Sequence, residues 1–204
     1  MLFDDTYKTI ASHSEGTYRD KGSKFIAFAF PIKSDEDVKD ILQKLRSEHP
    51  KARHFCWALR LSPDRSIFRT QDDGEPSGTA GRPILNTILS ADLTNLLIVV
   101  VRYFGGTLLG VPGLINAYKT AAAEAIKESN IVEKTVNDIY EIRFDYMAMN
   151  DVMKLVKDEQ LNILDQNFDN TCTMQLEIRK SSLNAILGKI EKLERIHIKY
   201  LFTS

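Results

Sequence analysis

The chain has 204 residues, 43% of them apolar and 27% charged, enough for one substantial core or two modest ones and too apolar for a disordered tail. Its formal net charge is −1; division at residue 134 leaves 18 basic against 17 acidic residues, then 9 against 11. Bulk charge therefore excludes a basic nucleic-acid binder in either half, so any contact with RNA has to come from a local patch, and DNA is not expected as a partner. The longest aliphatic run, Leu96 to Val101, stops at Arg102, far short of the ~20 residues that cross a bilayer, so no membrane association is expected. The opening Met1-Leu2-Phe3-Asp4-Asp5 lacks the basic and apolar regions of a leader, and a cytoplasmic location is expected. Cys56 and Cys172 lie too far apart in sequence to suggest a structural disulfide in a reducing compartment.

In chain order, Thr6 to Phe30 reads as two strands broken near Glu15-Gly16 and Asp20-Lys21-Gly22. Ser34 is placed to cap a helix carrying Val38, Ile41, Leu42 and Leu45 at three- and four-residue steps, which His49-Pro50 ends. His54 to Leu61 alternates as a half-buried strand, Ser66 to Thr70 is its short partner, and a glycine-rich segment runs from Asp72 to Pro83. Pro83 suits the first turn of a helix bearing Ile84, Leu85, Ile88 and Leu89. Leu96 to Phe104 reads as the most buried strand, and Gly105-Gly106 turns it into a helix with a stripe of Leu114, Ala117, Tyr118, Ala121, Ala122 and Ile126.

The rhythm resets after Val136. Strand Ile139 to Phe144, helix Asp151 to Lys157, strands Asn162 to Phe168 and Cys172 to Ile178, a helix from Ser181 and a last strand Ile196 to Phe202 give the order βαββαβ of a ferredoxin-like domain. The expected fold is α+β in two domains, 1–134 with a mixed sheet covered by helices and 137–204 ferredoxin-like.

Two glycine-rich turns carry the candidate chemistry. Ser77, Gly78, Thr79, Ala80 and Gly81 are able to present successive N–H groups to an oxyanion with Arg82 as counter-charge, although neither a Walker nor a Rossmann spacing fits. The competing reading is a turn whose Asp72, Ser77 and Thr79 side chains cap neighbouring backbone. Around the second turn, Gly105 and Gly106 permit close backbone approach, while Arg102 and Tyr103 offer charge and a stacking face for a base. Here the competing reading pairs Arg102 with Asp72 or Asp73. Lys21, Lys24, Arg53, Arg82 and Arg102 either converge on one surface with the turns or are scattered and solvated.

His54 and Cys56 sit two apart on one strand, roughly 6–7 Å at the backbone, with no third group to complete a triad. A polar histidine beside a buried thiol is the stronger reading, and no catalytic residue is assigned. The histidines show no metal-ligand spacing, and Asp72 and Asp73, adjacent on an extended chain, point apart, so no metal or cofactor is expected.

The segments Lys21-Gly22-Ser23-Lys24-Phe25-Ile26, Ala52-Arg53-His54-Phe55-Cys56-Trp57-Ala58, Asp72 to Pro83 and Val101 to Gly110 resemble the IMPACT/YigZ family across the first two-thirds of the chain. The last third is similar by pattern to that family's small C-terminal domain. The resemblance implies an N-terminal domain with the fold of domain IV of elongation factor G and a C-terminal domain like that factor's last one, both fold-level analogies. It also implies a link to translation, since eukaryotic relatives regulate the general amino-acid control pathway by competing for a kinase activator. Those relatives carry a different partner domain, so the competition itself does not transfer.

The functional expectation is a non-enzymatic regulatory module that binds RNA or the ribosome through Arg53, His54, Asp72, Ser77, Gly78, Thr79, Gly81, Arg82, Arg102, Tyr103, Gly105 and Gly106. The alternatives are a phosphorylated small molecule, bound or turned over at the same turns, and a protein partner docked on the C-terminal sheet. Removal of Arg82 and Arg102 is expected to abolish binding and leave thermal unfolding nearly unchanged.

Overall fold

The computed structural model describes residues 5–169 and 171–204 and divides the chain into two compact units. One runs from Lys8 to Lys134; the other comprises Thr135–Ser204 together with the N-terminal residues up to Tyr7. The architecture is α+β, with five α-helices and three sheets in the described residues.

The first unit is built on β2 (Ser14–Asp20), β3 (Ser23–Pro31), β4 (His54–Leu61), β5 (Ile67–Gln71) and β6 (Leu96–Tyr103), in the spatial order β2-β3-β6-β4-β5. Neighbouring strands are antiparallel throughout, where a mixed sheet was expected: β3 and β4 both run against β6, one on each side. β6 is central, and its aliphatic run is buried on both faces. Leu96, Ile98 and Val100 face α2 (Gly81–Ser90) and α3 (Gly110–Lys127). Leu97, Val99 and Val101 face α1 (Asp37–Glu48). A strand covered on both sides has no polar face to show, which is why its sequence is continuous rather than alternating.

For the same reason His54 to Leu61 is not half-buried. Phe55, Leu59 and Leu61 join the cluster beneath α1, and Cys56 and Ala58 the cluster beneath α2 and α3. The alanines of α3 bring that helix onto β2, where a Cβ on Gly16 would lie 2.2 Å from the Ala125 nitrogen. No side chain larger than hydrogen fits there.

Two local expectations are corrected. Thr6 to Phe30 forms three strands, since β1 (Thr6–Ile10) pairs with β7 (Ile131–Thr135) in a separate ribbon and Glu15-Gly16 lies inside β2. Ser34 does not cap α1; the helix begins at Asp37, whose Oδ2 accepts the Lys33 and Ser34 N–H groups instead.

The second unit holds β8 (Asn137–Phe144), α4 (Met149–Asp158), β9 (Asn162–Phe168), β10 (Cys172–Arg179), α5 (Leu183–Ile190) and β11 (Ile196–Thr203). The antiparallel order β11-β8-β10-β9 is the ferredoxin-like arrangement. One face carries Ile142, Met174, Leu176 and Ile178 against Val152 and Val156 of α4 and Ile186 and Ile190 of α5. The other face of β10 presents Thr173, Gln175 and Glu177, with Glu177 accepting from Asn137 and Asn162. The outer strands of the same sheet nevertheless expose Leu164 and Phe168 of β9 and Tyr200 and Phe202 of β11, apolar area of the kind a docked protein partner would use.

Candidate functional site

β6 ends where β3 and β4 begin, so register places Phe25 and His54 on either side of Arg102, and Lys24 beside Tyr103. α2 and α3 also start at this end, after the two glycine-rich turns. The turns and the three strand ends therefore meet, as the sequence suggested. What they do there differs from an open anion cradle.

The first turn is filled by its own chain. Asp72 Oδ1 accepts the N–H groups of Ala80 and Gly81 at 3.1 and 2.8 Å, and Oδ2 that of Gly78 at 2.8 Å. Ala80, at the N-cap of α2, has no side chain to do this, and the first turn of α2 holds no acidic residue. Asp72 supplies both the acceptors and the negative charge that a helix start favours. A phosphate would seek the same N–H groups, and an internal carboxylate already stands on them. Thr79 Oγ1 closes back on the Pro76 carbonyl at 2.6 Å, and Ser77 is exposed.

Asp73 ties the turn to β4. Its Oδ2 accepts the Phe55 N–H at 2.7 Å and Arg46 Nη2 at 3.0 Å, and its carbonyl oxygen lies 2.9 Å from His54 Nδ1. A carbonyl only accepts, so His54 carries a proton on Nδ1.

Below the turns lies a buried polar network. Arg102 Nη1 donates to Glu75 Oε1 at 2.6 Å, with side-chain exposures of 6% and 4%. The Tyr118 hydroxyl donates to the same oxygen at 2.7 Å, and Cys56 Sγ lies 3.3 Å from that hydroxyl and 2.8 Å from the Asp72 carbonyl oxygen. The Arg102 guanidinium carbon is 5.4 Å from the Phe25 ring centre and 5.5 Å from that of Phe104. Arg102 is thus paired as the competing reading anticipated, but with Glu75 rather than Asp72 or Asp73. Its removal would strand a buried carboxylate, so the expectation that unfolding would be unaffected does not suit this residue.

Burial pushes the Cys56 thiol well above its usual range, and pushes the Tyr118 hydroxyl up as well. Cys56 is therefore a neutral, hydrogen-bonded thiol, in a state opposite to that of a nucleophile. Nothing in this arrangement orients His54 toward it as a base, since the His54 Nδ1 proton is spent on Asp73.

In the second turn, a Cβ on Gly105 would fall 2.0 Å from the Gly22 carbonyl carbon, and the Gly105 N–H donates to Ser23 Oγ at 3.2 Å. Gly105 thus clamps the β2–β3 hairpin to the end of β6. Gly106, at φ +87°, faces open space. Tyr103 turns to the opposite side of the sheet from Arg102, where its hydroxyl meets His49 Nδ1 at 2.7 Å, so these two do not form a joint charge-and-stacking site.

Of the expected residues, His54, Asp72, Gly78, Thr79, Gly81, Arg102 and Gly105 belong to this internal lock. Arg53, Ser77, Arg82 and Gly106 lie exposed around it. Lys21, Lys24, Arg53 and Arg82 make no ion pair among the described residues. In the second turn Phe104, 53% exposed, and Leu108, 82% exposed, also face outward.

Sequence reasoning missed Glu75, Tyr118 and Phe104 as parts of the site. Tyr118 carried a usable signal, because a tyrosine within an alanine-rich buried stripe needs a partner for its hydroxyl. Glu75 is the nearby group able to take two donors.

Comparison with known proteins places this unit among others. The sequence pattern of the Impact N-terminal domain matches residues 21–126. An IMPACT family member of Haemophilus influenzae is 37% identical over 175 residues, 83% of this chain and 84% of that protein. A protein IMPACT homolog of Saccharomyces cerevisiae is 34% identical over 110 residues, 52% of this chain and 42% of its own length. A crystal structure of a hypothetical protein superposes on 97% of the chain, and 98% of its own, with a TM-score of 0.75 at 26% identity.

Proposed function

The chain belongs to the IMPACT family, and we propose that this protein is a translation-regulating binding module of the cytoplasm. It contacts RNA, free or on the ribosome, through the outer rim of the glycine-rich end. One observation carries the reading. The acids of the turns are engaged internally by backbone N–H groups, Arg46 and Arg102, whereas Lys21, Lys24, Arg53 and Arg82 have no acidic partner among the described residues. In a chain of net charge −1 these four supply the local positive charge that RNA contact requires, Lys24 on the Tyr103 side of the sheet and Arg82 in the first turn of α2.

A phosphorylated small molecule at the first turn would have to displace the Asp72 carboxylate from three N–H groups, which argues against that alternative. The neutral Cys56 thiol likewise gives no support to covalent catalysis at this end.

Four phosphate contacts to a single strand imply that log K falls with log salt at a slope near −3 (~0.7 per phosphate). The test is co-sedimentation of the full chain with ribosomes at low and moderate salt, beside a Lys21→Ala/Arg53→Ala/Arg82→Ala variant that leaves the Arg102–Glu75 pair intact. Salt-sensitive sedimentation, lost in the variant, is the expected result. Wild-type protein that stays free of ribosomes at both salts overturns the reading.

A further inference from the structure

Phe104 is a half-exposed aromatic ring whose support is built from the core outward. Phe25, fully buried, lies against the Arg102 guanidinium, and that guanidinium lies against Phe104. Glu75 and Tyr118 fix the cation in place. The layers ring, cation, ring thus run from the hydrophobic core to the surface, and the last ring is 53% exposed. Beside it Gly106 leaves open space, since an added Cβ there would meet nothing within 4 Å.

We infer that the Phe104 ring is a stacking platform for an unpaired nucleobase of RNA, an assignment that rests on the RNA-contacting reading of this rim and narrows its ligand to single-stranded or loop RNA. A base stacks on any aromatic face regardless of its identity, and such platforms work together with cations that track the phosphates. The Lys21-Gly22 turn packs on Gly105, one residue from the ring, and so brings the Lys21 cation to this end of the sheet, whereas Lys24, opposite Tyr103 in the register, lies on the other face. A duplex keeps its bases stacked inside and offers no free face to Phe104. The exposed Leu108 extends the surface without charge. An apolar protein partner would use the same atoms but would leave Lys21, Arg53 and Arg82, which make no ion pair among the described residues, without a role.

The probe is a fluorescently labelled 12-nucleotide single-stranded RNA, compared with a blunt RNA duplex of equal length. Affinity is measured by anisotropy with the full chain and with the F104L and F104Y variants. F104L is expected to weaken single-strand binding by roughly 5- to 100-fold and F104Y to preserve it, because stacking needs a ring and not merely an apolar side chain. Duplex binding is expected to be weaker and indifferent to either change. Matching melting temperatures establish that both variants are folded.

Single-strand affinity unchanged in F104L overturns the platform, as does a wild-type protein that binds neither RNA. Should F104L lose ribosomes while keeping the oligonucleotide, the ring docks a protein and the platform falls. Failure of the wider reading shows separately, as wild-type protein that does not sediment with ribosomes at either salt.

Discussion

Replacing Arg102 with methionine tests whether the glycine-rich end is a structural lock. The substitution keeps an apolar stem between Phe25 and Phe104 and removes the guanidinium, leaving the Glu75 carboxylate, 4% exposed, without its counter-charge. Tyr118 still donates one hydrogen bond to it. Breaking a buried ion pair from one side typically costs about 3–5 kcal/mol, a large share of the roughly 5–15 kcal/mol that stabilises a domain. Removing both charges in Arg102→Met/Glu75→Gln should restore much of that loss, since the double variant strands no ion and the amide oxygen still accepts from Tyr118.

Urea unfolding followed by fluorescence of Trp57, the single tryptophan, reads the unit directly, because Trp57 lies in β4 between β5 and β6. Arg82→Ala, at an exposed position with no ion pair among the described residues, serves as the control and should stay within ~0.5 kcal/mol of wild type. A loss of less than about 1 kcal/mol in Arg102→Met, or single losses that simply add in the double variant, would show that the pair is no lock.

Three further outcomes are expected. Gly105→Ala should destabilise the protein by about 3 kcal/mol or more, read by the same unfolding curve, because its methyl would overlap the Gly22 and Ser23 backbone rather than a side chain free to swing aside. In native protein at pH 8, a thiol reagent should leave Cys56 unlabelled and label it on unfolding; rapid native labelling would show that the thiol is neither buried nor neutral as described. Asp5, held well below the usual carboxylate range by its hydrogen bonds from Arg179 and Ser181, is stabilised in its charged form by folding. That contribution is complete above its ordinary value near 3.8 and is lost as pH falls below it, so Asp5→Asn should destabilise at pH 7 and progressively less in acid. A difference that grows in acid, measured by circular dichroism, would contradict the sign.

Local patterns carried much of the fold. The run from Leu96 to Val101 announced a strand covered on both sides, and the βαββαβ order of the second unit followed from the succession of strand- and helix-patterned segments after Val136. The failures came where the answer depends on which elements meet in space. His54 to Leu61 alternates in size rather than polarity, and only the placement of α1 opposite α2 and α3 shows both faces to be covered. The glycine-rich turns were legible as special, but their meaning was not. An aspartate at 72 and N–H groups at 78, 80 and 81 share a neighbourhood only once the turn is folded, and Glu75 finds Arg102 across 27 residues. Phe104 read as the last residue of a buried strand, because the position where β6 leaves the sheet is not marked by residue type.

The Asp72 carboxylate seated on its own helix start has a consequence for how a partner is met. A loop that waits for an external phosphate to satisfy its N–H groups must be ordered by that phosphate, and part of the contact energy is consumed in the ordering. Here the turn is preorganised by a counter-ion that never leaves. The rim it carries should present the same shape empty and occupied, so association would proceed without a slow rearrangement, and the strength of binding would be set by the outward-facing groups alone.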